Sequence, residues 1–218
     1  NKVYAGGHVR GLAYTLDRLT RELGVVFVVS TGNLSLDGLP ADPLASFPDY
    51  LLEDHARLVD PATALNAVTV GGLARHEATR GQQQRPELIE DRPIARTGHP
   101  FPLTRSGPTV NGAIKPDFVE HAGNLAVVRL TGRTIYRGLG VVTTNGGFAG
   151  GHAFREEIGT SFAAPAVAHR AARLLRRVPD ASHNLLRALL GAHAKWPDSS
   201  VPLLNPNNNA EGREKLTR

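Results

Sequence analysis

Two patterns of apolar residues follow one another in the first 30 positions. The first has the spacing of a helix, and the second is an uninterrupted apolar run. Leucines three or four residues apart, with charged residues between them, predict an amphipathic helix over residues 12–23. Gly24 follows as a residue that typically ends a helix. Residues 25–29 are apolar without alternation, which is typical of a strand buried on both faces of a parallel sheet. A helix followed directly by such a strand predicts an α/β fold.

Weaker patterns divide the rest of the chain. We predict strands at residues 67–70, 125–130 and 140–144, helices at 161–178 and 184–194, loops at 34–61 and 75–112, and a glycine-rich turn at 145–151. Gly71 and Gly72 are expected to end the strand at 67–70. Residues 203–218 carry few apolar side chains and are predicted to be a polar, poorly ordered tail.

Composition and charge narrow the classes of function. The 218 residues contain no cysteine, which excludes disulfides, thiolate metal sites and thiol nucleophiles. The net charge is +5, but 20 acidic residues are mixed among the 25 basic ones, so we expect no nucleic-acid partner. No apolar run approaches the ~18 residues of a membrane span, so we expect no membrane partner. Methionine is absent and the chain begins at Asn1, which suggests a processed or truncated protein.

The segment 159–165, Gly-Thr-Ser-Phe-Ala-Ala-Pro, is the first candidate for chemistry because it places Ser161 at the start of an alanine-rich helix. The small side chains allow that helix to lie close to a sheet, and the serine would then face a cleft at the positive end of the helix dipole. This position suits a nucleophile whose own N–H binds an oxyanion. The alternative is that Thr160 or Ser161 is an ordinary N-cap. Pro165 is expected in the first helical turn, where a missing N–H costs little.

The second candidate is the tetrapeptide Ser-Thr-Gly-Asn at positions 30–33, directly after the predicted buried strand. Ligands bind at the carboxyl ends of strands in open α/β sheets. Asn33 could therefore direct its side-chain N–H groups towards a developing oxyanion. The alternative is an ordinary Gly-Asn turn.

Four blocks, in order, resemble the subtilisin-like serine proteases, or subtilases. Segments 28–33, 61–71, 106–117 and 159–168 are similar to that family's "AGN", "PA…NAITVG", "SRGP…IKPD" and "GTSMAAPHVAG" blocks. Independent local matches that agree in order favour one common fold. The resemblance implies a parallel-sheet, three-layer α/β fold. Residues 1–202 would be the C-terminal part of the catalytic domain, and 203–218 the tail.

The resemblance implies a bacterial serine endopeptidase acting on protein or peptide substrates. Ser161 would be the nucleophile, Asn33 the side-chain oxyanion donor, and Ser30, Thr31 and Gly32 one wall of the substrate pocket. The family's aspartate and histidine blocks are absent from these residues, so we expect them upstream and expect this chain alone to be inactive. Upstream strands would then cover part of the sheet, and we expect the chain to self-associate through the surface left exposed.

Several departures and alternatives stay open. Phe162 replaces the family's methionine, and Glu120-His121 stands where the family has Ala-Pro. His121 and His152, both expected in loops, are candidates for a local general base, but no third group to orient either is evident. No cofactor or metal is implied, because metal-ligand spacings are missing; calcium, common in subtilases, has no acidic loop to support it. Other possible functions are a catalytically silent subtilase-fold interaction module and an arginine-rich nucleic-acid binder.

Overall fold

The computed structural model describes residues 3–79 and 91–218. Within them the helices are α1 (Gly11–Leu23), α2 (Pro43–Ser46), α3 (Thr160–Arg177), α4 (His183–Ala192), α5 (Ser200–Leu204) and α6 (Ala210–Leu216). The strands are β1 (Val28–Ser30), β2 (Val68–Leu73), β3 (Asp91–Pro93), β4 (Phe118–His121), β5 (Ala126–Val128), β6 (Thr134–Ile135), β7 (Val141–Thr144) and β8 (Phe154–Glu157). None of these helices is long and apolar enough to cross a membrane.

A parallel three-stranded sheet, in the order β1-β2-β4, forms the centre of the described structure. The register pairs Val28 with Val68, and Val70 with Phe118. Strand β2 lies between its two neighbours and is buried from Val68 to Gly72. The remaining strands form a small antiparallel sheet, β3-β5-β6, and the hairpin β7-β8.

Helices cover both faces of the parallel sheet, which gives three layers. Helix α3 packs against all three strands of the sheet, and its alanines share a core with Val26 and Val28. On the opposite face, Phe27 and Val29 pack with Ala13 and Leu16 of α1. Neighbouring side chains of a strand point to opposite faces, so the continuous apolar run was needed to fill both cores. The predicted α/β fold is confirmed.

Strand β2 is longer than the sequence predicts, because it continues through Gly71 and Gly72 to Leu73. A Cβ atom at Gly72 would lie 2.7 Å from Cβ of Phe101 and 2.8 Å from Cβ of Ala122. These glycines therefore permit close packing inside the strand and do not end it. The predicted helices at 12–23, 161–178 and 184–194 are confirmed with shifts of one or two residues at their ends.

The loops also differ from expectation in two places. The predicted loop at 34–61 contains α2 and short 3₁₀ turns, whose Tyr50 and Leu51 are buried in the core. The predicted loop at 75–112 includes residues 80–90, which lie outside the described residues, and strand β3. The predicted turn at 145–151 joins β7 to β8.

Residues 203–218, which the sequence presents as a polar tail, contain helix α6 and return to the body of the domain. The Gly107 N–H donates to the Arg218 carbonyl oxygen at 3.0 Å. Lys215 forms an ion pair with Asp49, with a nitrogen–oxygen distance of 3.5 Å. Helix α6 carries few apolar side chains, so its hydrophobic pattern is too weak to predict it.

Candidate active site

Helix α3 begins at Thr160, and Gly159 occupies the N-cap position without a side-chain hydrogen bond. The alternative that Thr160 or Ser161 is the N-cap is therefore wrong. Gly159 has φ 146°, a conformation that favours glycine. A Cβ atom there would also lie 3.1 Å from Nδ2 of Asn33. The Gly159 N–H donates to the Ala122 carbonyl oxygen at 2.8 Å, which attaches the start of α3 to the chain just beyond β4.

Asn33 contacts this helix start directly. Its Oδ1 accepts hydrogen bonds from the Thr160 backbone N–H at 2.9 Å and from Thr160 Oγ1 at 3.2 Å. A backbone N–H can only donate, so the atom facing it must be the amide oxygen and not the nitrogen. Asn33 Nδ2 is thereby turned away from Thr160, and it has no acceptor among the described residues. An oriented, exposed amide donor at this point is more than an ordinary Gly-Asn turn provides.

Ser161 is the second residue of α3 and is exposed. Its hydroxyl forms no hydrogen bond within residues 3–79 and 91–218. Its backbone N–H lies in the first turn, where an α-helix leaves N–H groups without intrahelical acceptors and carries partial positive charge. Pro165 is inside the helix, beyond the first turn, contrary to expectation. Because proline has no N–H, the Ser161 carbonyl oxygen lacks its usual donor four residues ahead.

The three residues before Asn33 continue β1 into the site. Ser30 ends the strand, and the Thr31 N–H donates to the Val70 carbonyl oxygen at 3.0 Å. Thr31 is fully buried, so any contact with a substrate would come from its backbone and not its side chain. Gly32 has φ 85°, and a Cβ atom there would lie 2.6 Å from a methyl carbon of Val59. The role of these residues as a pocket wall stays a prediction.

Arg105, which sequence reasoning missed, fixes the backbone at Asn33. Its Nε donates to the Asn33 carbonyl oxygen at 3.1 Å. Its Nη1 donates to the carbonyl oxygens of His55 and Arg57 at 2.9 and 2.8 Å. A planar guanidinium can hold several segments at fixed angles, and Arg105 directly precedes the "SGP" match that could have indicated it.

The two histidines proposed as local bases do not hydrogen-bond to Ser161. His121 is the last residue of β4, and the expectation that it lies in a loop is wrong. Its Nδ1 is buried without a hydrogen-bond partner among the described residues, and burial is the main cause that lowers its pKa. His152 is exposed in the turn between β7 and β8. All nine histidines lie in the described residues, and none forms a hydrogen bond with the Ser161 hydroxyl there.

Glu120 and Arg170 form a further pair near the site that the sequence did not indicate. Glu120 is buried in β4, and its Oε2 accepts a hydrogen bond from Nη2 of Arg170 on α3. The second oxygen of Glu120 accepts from the His121 N–H at 3.0 Å. Both carboxylate oxygens are therefore bound, which explains how an acid can replace the alanine of the family pattern. Within the described residues, no group of three or more acidic or histidine side chains is placed to hold a metal ion.

Comparison with known proteins found a family model and a relative that match this chain. A family model described as "Subtilase family" matches residues 5–215. A Sinorhizobium fredii (strain NBRC 101917 / NGR234) protein, described as uncharacterized protein y4bN, is 38% identical over 205 residues, which cover 91% of this chain and 47% of the relative. The chain thus spans about half the length of that relative. No solved structure matches. Because the family model covers nearly the whole chain, the chain belongs to the subtilase family.

Proposed function

We propose that this protein is a serine endopeptidase of the subtilase type, with Ser161 as its nucleophile. Membership of a protease family supports the class of reaction. The observation that carries the residue assignment is the double hydrogen bond between Thr160 and Asn33 Oδ1. Because Oδ1 faces Thr160, the neighbour of Ser161, the Nδ2 end of the Asn33 amide is left as a donor, which supports the assignment. A nucleophile with two converging N–H donors is the arrangement that acyl transfer requires.

In the proposed reaction, Ser161 Oγ forms a bond to the carbonyl carbon of the peptide. The carbonyl electron pair moves onto its oxygen, and the hydroxyl proton passes to a histidine. Asn33 Nδ2 and the Ser161 N–H donate to the resulting oxyanion. When the tetrahedral intermediate collapses, the carbon–nitrogen bond breaks and the histidine returns the proton to the leaving amine. Water then hydrolyses the acyl-enzyme by the same steps.

The histidine, and an aspartate that orients it, are proposed to come from a part of the protein outside this chain. No histidine of the chain bonds to Ser161, and the family's two blocks do not occur in its sequence. A fluorophosphonate probe, which reacts only with an activated serine, tests the proposal on the full-length protein. We expect labelling that is lost in Ser161→Ala and retained in Ser35→Ala, since Ser35 is an exposed serine that is not part of helix α3. A full-length protein that takes no label would contradict the proposal.

A catalytically silent interaction module is the second candidate function. It is favoured by one observation, namely that Ser161 has no hydrogen-bonded base among the described residues. The sequence upstream of this chain in the same gene distinguishes the two candidates. Intact Asp and His blocks would support the enzyme, whereas degenerate blocks together with an unlabelled Ser161 would support the module.

A further inference from the structure

A cavity of about 710 Å³ lies beside the second half of helix α3, away from Ser161. Its walls come from residues 48–52, the end of β2, residues within 100–119 including the first part of β4, helices α3 and α4, and the C-terminal segment 193–218. Their apolar contributions include Phe118, Val119, Leu174, Leu190, Trp196 and Leu216. Arg173 at this cavity follows Ser161 by twelve positions on one helix, which corresponds to about 18 Å along the axis. Neither Ser161 nor Asn33 lines the cavity, although Arg105, which holds the Asn33 backbone, is one of its lining residues.

The cavity has the size and the lining of a ligand site. Pockets for small molecules usually have volumes of about 300–1,000 Å³ and predominantly apolar walls. Two large apolar side chains at its lining, Ile114 and Trp196, are 58% and 53% exposed. An apolar ligand would remove these surfaces from water, which stabilises a complex by roughly 25 cal/mol for each Å² buried.

Three cations that line the same cavity have no ion-pair partner within residues 3–79 and 91–218. Arg173, Arg177 and Lys195 form no ion pair with any carboxylate of the described residues. Of the other lining cations, Arg105 donates to three backbone carbonyl oxygens, and the rest form ion pairs: Arg170 with Glu120, Lys215 with Asp49 and Glu211, and Arg218 with Glu214. Among the lining residues, all of them described, the acidic side chain is Asp117, and it is bound to Lys115. The cavity therefore combines apolar walls with an excess of free positive charge.

We propose that this cavity binds an amphipathic anion, an unbranched apolar chain that ends in a carboxylate, such as a fatty acid. The chain would lie against the leucine-rich wall between α3 and α4. The carboxylate would pair with Arg173 and Arg177, one turn apart on α3. The helix dipole also favours arginines at the end of a helix. That effect is the same for Arg176, which does not line the cavity, so Arg176 serves as the comparison for the two arginines that do. The proposal is independent of the protease activity.

Trp196 provides a direct measurement, because it is the one tryptophan of the 218 residues and lines the cavity. The probe is bromododecanoate below its micelle concentration, since bromine quenches indole fluorescence on contact. Bromododecanol is the uncharged probe of equal length. The full-length protein is used, and the signal of Trp196 is the difference from Trp196→Phe. We expect saturable quenching by the carboxylate, with a Kd about tenfold lower than that of the alcohol, as for one charge-assisted bond.

Matched variants test the two parts of the site. Arg173→Gln with Arg177→Gln should raise the Kd for bromododecanoate about tenfold and leave the alcohol unchanged, whereas Arg176→Gln should change neither. Ile114→Glu places a negative charge at an exposed lining position, so folding is preserved, and it should weaken binding of the carboxylate. Leu130→Glu, 79% exposed and away from the cavity, is its control. Absence of quenching, equal affinity for the two probes, or displacement of the probe by an acidic peptide at lower concentration would overturn the proposal.

Discussion

Asn33 Oδ1 accepts two hydrogen bonds from Thr160, although 127 positions separate the two residues in the chain. Asn33 follows strand β1 of the parallel sheet, and Thr160 is the first residue of helix α3, which packs on that sheet. The contact therefore holds the proposed oxyanion donor and the residue before the proposed nucleophile in one geometry. Arg105 fixes the backbone of Asn33 from the other side.

Loss of the Asn33 amide should reduce turnover much more than substrate binding. We expect Asn33→Ala to lower kcat by about 10²–10³-fold with little change in KM, a magnitude taken from subtilisin, a member of the same family in which one such donor was removed. Asn33→Asp, which has acceptor oxygens but no N–H, should be equally impaired. Steady-state hydrolysis of a peptide substrate by the full-length protein measures this. An Asn33→Ala protein with unchanged kcat would remove Asn33 from the mechanism.

The Thr160 hydroxyl should act by positioning Asn33. Thr160→Val keeps the shape and the backbone N–H but removes the bond from Oγ1, which is worth about 0.5–1.5 kcal/mol. We expect kcat to fall up to about tenfold, while Thr160→Ser, which retains a hydroxyl, should restore most of it. The same kcat for Val and Ser would show that the backbone N–H of Thr160 is sufficient to orient the amide.

Gly159 should tolerate no side chain. Its φ of 146° is strained for other residues, and a Cβ atom would approach Asn33 Nδ2 to 3.1 Å. We expect Gly159→Ala to lower the free energy of unfolding by about 1–3 kcal/mol and to reduce labelling of Ser161. Gly146→Ala is the control, since nothing lies within 4 Å of a Cβ there. Urea unfolding of both variants gives the comparison, and equal stability of the two would refute the expected strain.

Local patterns in the sequence were sufficient to predict α1, the strand that becomes β1, and the helix that carries Ser161. They also identified Asn33 as a candidate, because the tetrapeptide that contains it, residues 30–33, directly follows a predicted strand without polar residues. The contact between Asn33 and Thr160 could not be predicted from spacing, since it depends on how α3 is placed over the sheet. The resemblance to the subtilases supplied the expectation that the two segments share a site, and in the structure a hydrogen bond joins Asn33 to Thr160. The roles of Asn33 and Ser161 stay predictions.

Strand β4 and the two glycines of β2 show what local patterns leave out. Glu120 and His121 interrupt the apolar run of β4, and the burial of Glu120 depends on Arg170, 50 positions later in the chain. In the sequence, Gly72 indicates the end of a strand. In the structure it lies inside β2, where Phe101 approaches too closely for any side chain. In both cases the deciding partner is distant in sequence, so no window of neighbouring residues contains the information.

Burial of His121 should make the fold less stable in mild acid. Desolvation lowers its pKa below the ordinary 6.5, opposed by Glu120 and reinforced by Arg75, His76 and Arg170. As the pH falls below about 6.5, the unfolded chain takes up a proton that the folded chain resists, so the free energy of unfolding decreases until the pH passes the folded pKa. Urea unfolding at pH 7 and pH 5 should show this loss.

His121→Asn should reduce that loss between pH 7 and pH 5, although His99, whose pKa burial also lowers, will contribute a part that remains. His193→Asn, which removes a histidine at an exposed position after α4, is the matched control. A pH dependence that is identical with and without His121 would contradict the prediction.

The outer edge of β1 should bind a second copy of this chain. Among the described residues, β1 pairs with β2 on one side and with no strand on the other. Exposed apolar side chains occur in the same part of the chain, at Leu12, Tyr14, Leu23 and Val25. A free strand edge next to exposed apolar surface is a template for pairing.

Light scattering should therefore give a dimer at micromolar concentration, and Leu23→Lys should shift it towards monomer. Leu130→Lys, at a more exposed leucine elsewhere, should not, and a wild-type monomer at this concentration would refute the pairing.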